Sequence, residues 1–481
     1  MSKSFYITTT LPYVNADPHI GFAMEIIRAD VIARAKELQG FDVFFNTGTD
    51  EHGQKIFDNA KKAGKDTQAF VDENAEKFRD LKEQLGLSPN IHFIRTTDEH
   101  HVKAAQEFWK RCFDAGDIYK KNYKIKYCVG CELEKQDSEI VDGKCELHPN
   151  LELEIREEEN YFFKFSRFQK PLLDLYAKNP TFVLPDFRFN EIKAFVERGL
   201  EDFSISRLKS KMSWGVPVPN DPEHVMYVWF DALVSYISTL GWPENEKQPE
   251  ENFVKFWKEG TPVQYCGKDN LRQQSAMWQA MLMSAGLPNS SKIVINGFIT
   301  GDGGVKMSKS LGNTVNPLDL INEYSTDALR YFLLSELSSF EDSPFTMERF
   351  KASYNAKLAN GLGNLVSRTM KMAQDNLPAP VQIPEEKIPF FDHLEDFDMH
   401  KALEEVWANV SLIDKTIQEE QPFKLVKTDK EAGVKMIADL VSRVAQIGRM
   451  LAPFLPETSR KILELVATNK TPDSPLFLRK D

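Results

Sequence analysis

Over the first 110 residues the spacing of apolar positions changes period several times. Residues 4–10 (SFYITTT) form a β-branched and aromatic run of strand type. Residues 22–40 (FAMEIIRADVIARAKELQG) repeat apolar positions at helical spacing and stop at a glycine, which predicts an amphipathic helix. FDVFFNTGTDEHG (41–53) reads as a second strand running into a polar loop. TQAFVDENAEKFRDLKEQLG (67–86) is helical, and IHFIRTT (91–97) is a third strand after a Pro-Asn turn. Alternation of this kind predicts a parallel, doubly wound sheet that binds ligands at the carboxyl ends of its strands.

The rhythm breaks over residues 111–215, where cysteines, acidic stretches and aromatic runs such as NYFFKF mark an inserted module. Alternation returns in HVMYVWFDALVSYISTLG, TPVQYCGKDNLRQQSAMWQAMLMSAG and KIVINGFITGDGGVKMSKSLGN, read as the second half of the same sheet. From about Thr346 strand signals vanish and long helical patterns take over (347–376, 401–421, 435–455), with the Pro-rich run NLPAPVQIPEEKIP after the first. The expected architecture is α/β: a split Rossmann-type parallel sheet, an inserted module and a C-terminal all-α bundle. Its boundaries are 1–110 and 216–320 for the two halves of the sheet domain and 111–215 for the insertion. A connecting segment follows at 321–345, then the helical domain at 346–481.

Composition changes this picture little. The 481 residues are 42% hydrophobic and 27% charged, ordinary for a globular chain. No apolar run reaches the length of about 18 residues needed for a membrane span, and MSKSFYITTTLP lacks the apolar core of a signal peptide, so a cytoplasmic location is expected. A net charge of −12 argues against coating nucleic acid through the overall field, yet permits a local basic groove.

Five cysteines are too few and too uneven for a disulfide framework. Three of them crowd into CVGCELEKQDSEIVDGKCELH, giving Cys128-x2-Cys131-x13-Cys145-x2-His148. Two short-spaced pairs supply four soft or borderline donors, which suits tetrahedral Zn²⁺ in a closed, structural site. The Asp142-Gly143 turn would fold the second pair back on the first. Cys112 and Cys266 have no such neighbours and are expected to be buried small hydrophobes.

Two further stretches carry candidate chemistry. In TGDGGVKMSKSLGN, Lys306 and Lys309 sit with two serines in a glycine-bracketed loop suited to gripping and releasing a polyphosphate, although such charge runs are as often solvated surface. In DPHIGF, His19 and Gly21 stand at the mouth of a helix, whose first amides favour anions, and the glycine permits close approach of a nucleotide. Alone, a histidine there is more often a cap or a surface residue.

LPYVNADPHIG, NTGTDEHG, the Cys/His knuckle, YVWFDALVSYI, GKD, KMSKS and LGNLVSR together resemble the class I aminoacyl-tRNA synthetases. Within them the set is most similar to the methionyl-tRNA synthetase family, bacterial type with a single zinc knuckle. The resemblance spans essentially the whole chain. It implies a ligase that converts L-methionine and ATP, with Mg²⁺, to methionyl-adenylate and pyrophosphate and then acylates tRNA(Met). It further implies that His19, Gly21, Gly267 and Asp269 contact ATP, and that Lys309, with Lys306, neutralises the pyrophosphate. Asp50 would hold the methionine ammonium, with Leu11, Tyr13, Trp229, Ala232 and Tyr236 around the thioether. Asn364, Arg368 and Phe423 would read the anticodon. Without the resemblance, Trp229 and Tyr236 read more simply as core aromatics. No appended domain follows the helical region, so a monomer is expected.

Several positions depart from the family pattern. Phe22 stands where a second histidine is usual, Gln273-Gln274 replaces a Phe-His pair, Asn296 replaces a histidine, Leu233 stands where a related form has proline, and Phe423 replaces a tryptophan. The competing readings are another class I synthetase, such as the cysteinyl enzyme, and a synthetase-like RNA-binding paralogue without activity.

Overall fold

The β-branched and aromatic run at the start of the chain forms the strand Ser4–Thr9, with five of its six residues buried. It lies in the middle of a six-stranded sheet. The strand order is Val183–Leu184, Lys292–Asn296, Thr261–Gly267, Ser4–Thr9, Asp42–Thr49, His92–Arg95. Strand Ser4–Thr9 pairs in parallel with Thr261–Gly267 on one side and with Asp42–Thr49 on the other. Asp42–Thr49 pairs in parallel with His92–Arg95. The chain winds outward from Ser4–Thr9 to His92–Arg95 on one side; on the other it first adds the edge strand Val183–Leu184 and then fills in Thr261–Gly267 and Lys292–Asn296. The carboxyl ends of Ser4–Thr9 and Thr261–Gly267 form the topological switch point, where a doubly wound sheet opens a crevice for ligand. These features come from a computed structural model, which describes residues 3–15, 17–131, 133–135, 140–304, 307, 315–383 and 392–480.

Two elements differ from the sequence expectation. Val183–Leu184 lies inside the predicted insertion yet pairs in parallel with Lys292–Asn296, so the chain re-enters the main sheet before residue 215. His224–Met226, expected in that sheet, instead pairs antiparallel with Ser206–Leu208. Both strands have only two or three residues, too short for periodicity to register.

The insertion is built on two long antiparallel strands, Ile118–Cys128 and Glu154–Phe163, flanked by Phe203–Ser204 and Leu133–Glu134. Beyond them Ile140–Val141, Lys144–Cys145 and His148–Glu152 make a small antiparallel sheet. Asp142 and Gly143 connect its first two strands, both at positive φ (51° and 77°), the backbone of a tight hairpin turn.

By backbone contacts the chain divides into two compact units. The first holds residues 1–18, 42–81 and 90–295, and the second holds 19–41, 82–89 and 296–481. In the second unit the helix Ile20–Leu38 is buried almost all round, not on one face as expected from its pattern. Two of its buried polar residues have partners inside. Arg28 donates to the carbonyls of Leu333, Leu337, Ser338 and Ser339, and Asp30 accepts from Arg34, Arg330 and Ser88. Met347–Asn376 is continuously helical, with wider i→i+5 turns over Tyr354–Gly363. Further on, Met399–Glu420 buries Leu403, Val406, Val410, Ile413 and Ile417, an apolar seam at three- and four-residue spacing, and Lys430–Met450 packs against Pro456–Thr468. The Pro-rich run begins after Asn376; its residues 384–391 lie outside the described ones.

Candidate active site and metal centre

The sheet brings several candidate residues to one edge. Buried Leu11 and half-buried Tyr13 follow Ser4–Thr9, while Asp50, 3% exposed, follows the neighbouring strand. The two strand ends stay zipped past the sheet proper: Asp50 N donates to Pro12 O (3.0 Å) and Val14 N to Asp50 O (3.4 Å). Gly267 ends Thr261–Gly267, and Asp269 follows it, exposed, on a single helical turn with Asn270 Nδ2 donating to its Oδ1 (3.3 Å). Leu11, Tyr13, Gly267 and Asp269 thus all lie just beyond the switch point.

Two short helices, Val228–Ala232 and Ser235–Ser238, carry the remaining pocket candidates. Trp229 is half-buried, with its Nε1 enclosed and lacking a hydrogen-bond partner among the described residues. A buried polar atom without a partner is expected where a ligand or water completes the site. Tyr236 is 3% exposed. Its backbone carbonyl accepts from Tyr6 OH (2.9 Å) and its hydroxyl accepts from Gln274 Nε2 (2.6 Å). Gln274, fully buried, in turn accepts from Gln264 at Oε1. The glutamine that replaces the family's histidine is therefore a hydrogen-bonded neighbour of a pocket candidate. Leu233, the other departure here, is buried in the main core.

Asp50 is followed by two residues with different tasks. Glu51 is fully buried and bidentate to Arg95 (2.7 and 2.8 Å), with Thr49 donating to the same carboxylate (2.6 Å), and Trp214 Nε1 donates to its carbonyl (2.6 Å). His52 points at Asp231, Nδ1 to Oδ2, at 2.6 Å.

Sequence reasoning missed Arg207. Its guanidinium is buried, lies over the rings of Tyr227 (4.3 Å) and Tyr127 (5.4 Å), and donates to Ser204 Oγ (2.9 Å) and Ser206 O (2.7 Å). With Gly53, Gln54, Met212 and Val228 it lines a cavity next to the Asp50 loop. The only signal was an arginine inside the strand-like run SISRL, where an apolar residue would be ordinary.

In the second unit His19 caps the helix Ile20–Leu38. Its extended backbone (φ −127°, ψ 168°) lets Nδ1 accept from Gly21 N at 3.1 Å. The ring lies so close over Gly21 that an added Cβ would fall 2.9 Å from its Cε1. The spacing His-x-Gly thus has a local cause: the ring needs the space a side chain would fill. Phe22 is buried, 9% exposed. Asn296 is buried and donates to Gly297 O (3.0 Å). Lys306 and Lys309 lie outside the described residues. In the helical region Asn364 and Phe423 are exposed, and Arg368 is half-exposed with Nη1 on Asp414 Oδ1 (2.9 Å).

The knuckle residues converge. Donor atoms of Cys128, Cys131, Cys145 and His148 all lie within 4.8 Å of one another. Cys131 Sγ is 3.3 Å from Cys145 Sγ and 3.1 Å from His148 Nδ1, and Cys131 N donates to Cys128 Sγ (3.5 Å). Gly130 makes room for the histidine, because a Cβ there would sit 2.5 Å from His148 Cδ2. Hydrogen bonding from Cys131 pulls the Cys128 thiol strongly down, while the same contact pushes Cys131 up. Four such donors packed this tightly fit a single cation that takes the place of their protons. Cys112 and Cys266 are buried as expected, and burial pushes the Cys112 thiol up to about 12.

A switch-point sheet, an inserted Cys/His knuckle and a helical C-terminal region define a nucleotide-binding enzyme of the class I synthetase type. Comparison with known proteins agrees: the family described as tRNA synthetases class I (M) matches residues 5–153 and 131–370. The methionine–tRNA ligase of Thermosynechococcus vestitus is 42% identical over 483 residues, 96% of this chain and 90% of that protein. That of Thermotoga maritima is 39% identical over 97% of this chain and 76% of its own length. The structure of Mycobacterium tuberculosis methionyl-tRNA synthetase in complex with methionyl-adenylate superposes with a TM-score of 0.88 at 38% identity, covering 96% of this chain and 94% of that one. The chain belongs to the methionyl-tRNA synthetase family.

Proposed function

We infer that this chain is a methionine–tRNA ligase, which activates L-methionine with ATP and transfers the methionyl group to the 3′ end of tRNA(Met). The observation that carries the reading is the match, over nearly the whole chain, to a structure holding methionyl-adenylate. In the first step the methionine carboxylate attacks the α-phosphorus of ATP, the bond to the bridging oxygen breaks, and pyrophosphate leaves. The carboxylate is already a nucleophile, so the enzyme works by positioning and by stabilising charge.

Asp50 would hold the ammonium, and Leu11, Tyr13, Trp229, Ala232 and Tyr236 would enclose the polarizable thioether, a side chain well suited to aromatic edges. Arg207, a buried cation beside the Asp50 loop, can take a carboxylate or phosphate oxygen. Gly267 and Asp269 would contact ATP, Asp269 at the ribose. His19 and Gly21 would serve phosphate, which the imidazole and the first amides of Ile20–Leu38 favour. Lys309, with Lys306, would neutralise the departing pyrophosphate, and Mg²⁺ would enter with the nucleotide. Cys128, Cys131, Cys145 and His148 would hold one Zn²⁺, which three thiolates and an imidazole favour, in a structural role. Asn364, Arg368 and Phe423 offer exposed polar and aromatic groups for splayed anticodon bases. The working form would be a cytoplasmic monomer; among the described residues no helix is long and apolar enough to cross a membrane.

ATP–pyrophosphate exchange with a panel of amino acids tests the reading. Exchange should require methionine, and its absence with methionine in metal-replete protein would overturn it.

A further inference from the structure

One buried polar cluster is not used by the chemistry above. Asp231 is 0% exposed, yet both carboxylate oxygens are taken by histidines: Oδ2 by His52 Nδ1 at 2.6 Å and Oδ1 by His101 Nε2 at 2.9 Å. His101, also 0% exposed, meets Ser238 Oγ at 2.9 Å through Nδ1. With Asp231 ionised, each histidine donates its N–H to it, so Nδ1 of a neutral His101 accepts from the Ser238 hydroxyl. Burial alone would push the Asp231 carboxyl up, but the two imidazoles outweigh it and hold the group down at about 2.

What gives this chain meaning is where its members stand. His52 is two residues past Asp50. Asp231 lies on the helix Val228–Ala232 between Trp229 and Ala232, and Ser238 ends the helix Ser235–Ser238 that carries Tyr236. Trp229 and Ala232, three residues apart, share one side of their helix. Phe230 packs on Phe108 and Trp109 (5.8 and 5.2 Å between centroids), so it and Asp231 pin the remaining sides. His101 belongs to a separate helix, Glu99–Asp114, and is the post to which both short helices are tied.

We infer that His52, Asp231, His101 and Ser238 are positioning residues that fix, by one continuous hydrogen-bond chain, the three segments forming the methionine pocket. The inference rests on the proposed function, because that reading makes these segments walls of one site. An apolar core would hold two four- or five-residue helices in place only loosely along their axes. A buried carboxylate with two charge-assisted donors fixes direction as well as distance.

Methionine and ATP concentrations are varied separately in pyrophosphate exchange, with a thermal melt on each variant. Asp231→Ala should raise the KM for methionine by about tenfold or more, in line with the cost of displacing a substrate-positioning group. The KM for ATP should stay within about twofold. Asp231→Asn should recover most of the loss, because its Oδ1 still accepts from His52 while His101 turns over its tautomer to donate to Ser238. If Asp231→Ala does not fold, His52→Ala carries the same expectation in smaller measure. A folded variant with unchanged methionine KM, or with both KM values rising together, would overturn the inference. Failure of the wild-type protein to exchange with methionine would instead remove the functional reading beneath it.

Discussion

Replacing Gly21 with alanine should separate stability from activity. An alanine Cβ would lie 2.9 Å from His19 Cε1 and 3.0 Å from Nδ1, against an ordinary carbon–carbon contact of about 3.5–4 Å. The ring must therefore move by roughly half an ångström or more, and the Gly21 N–H to Nδ1 bond, already 3.1 Å, breaks. Loss of that cap costs about 1 kcal/mol. Alanine in place of glycine in a helix returns up to about 1 kcal/mol. The two nearly cancel, so the melting temperature should shift by no more than a few degrees. Catalysis has no such compensation. On the proposed role of His19, a displaced imidazole would forfeit a hydrogen bond to a charged phosphate, worth about 1.5–3 kcal/mol, or roughly 10- to 150-fold in exchange rate. The measurement is ATP–pyrophosphate exchange at saturating methionine beside a thermal melt. An exchange rate within about twofold of wild type would refute the reasoning, as would a fall in rate matched by a large loss of stability.

Three other perturbations have outcomes set by the same structure. Arg330→Met removes a fully buried guanidinium that donates to Asp30 and to the carbonyls of Leu85, Pro453 and Phe454, and should cost about 3–5 kcal/mol in urea unfolding. Stripping the knuckle with a chelator, or Cys131→Ser, should loosen the insertion: hydrogen exchange should accelerate over residues 140–152 before it does in the strand Ser4–Thr9. Asp231 is held below its ordinary value of 3.8, at about 2, so the stabilisation it provides is complete above about pH 4 and is lost as pH falls toward 2. The shift corresponds to about 2 kcal/mol, and the acid limb of the Asp231→Asn stability profile should be flatter over that window.

The parallel sheet was legible because its strands are β-branched and its crossovers have clear helical period. The knuckle was legible because metal chemistry constrains both residue type and spacing. Ile20–Leu38 was misjudged as amphipathic. Its Arg28 and Asp30 look like a solvent face in sequence, but they are buried on partners about 300 positions away, which no local pattern reports. Val183–Leu184 and His224–Met226 were hidden by their brevity. Arg207, His101 and Asp231 went unremarked for a related reason. Asp231 is a single polar residue in the apolar run VWFDALV, while Arg207 and His101 sit among serines, lysines and acids that read as solvated surface; only the fold reveals that each is enclosed and partnered.

The departures from the family pattern can be weighed by what surrounds them. Gln274 stands where a histidine is usual, fully buried between a donor and an acceptor site. It gives one N–H to Tyr236 and receives one from Gln264, whose own Oε1 accepts from Ser290. A neutral imidazole can likewise donate at one nitrogen and accept at the other, so the amide preserves the polarity of the link. It also removes the option of protonation, which a histidine would carry beside the pocket at moderately acidic pH. Phe22 differs in kind. Its ring is buried in the first turn of a helix, so a histidine there would face a burial cost that the phenylalanine avoids. The amide therefore keeps a hydrogen-bonded link to Tyr236, while the phenylalanine carries no polar group. Any phosphate contact a second histidine would have made must come from elsewhere, and His19, held over Gly21, is the imidazole that this segment retains.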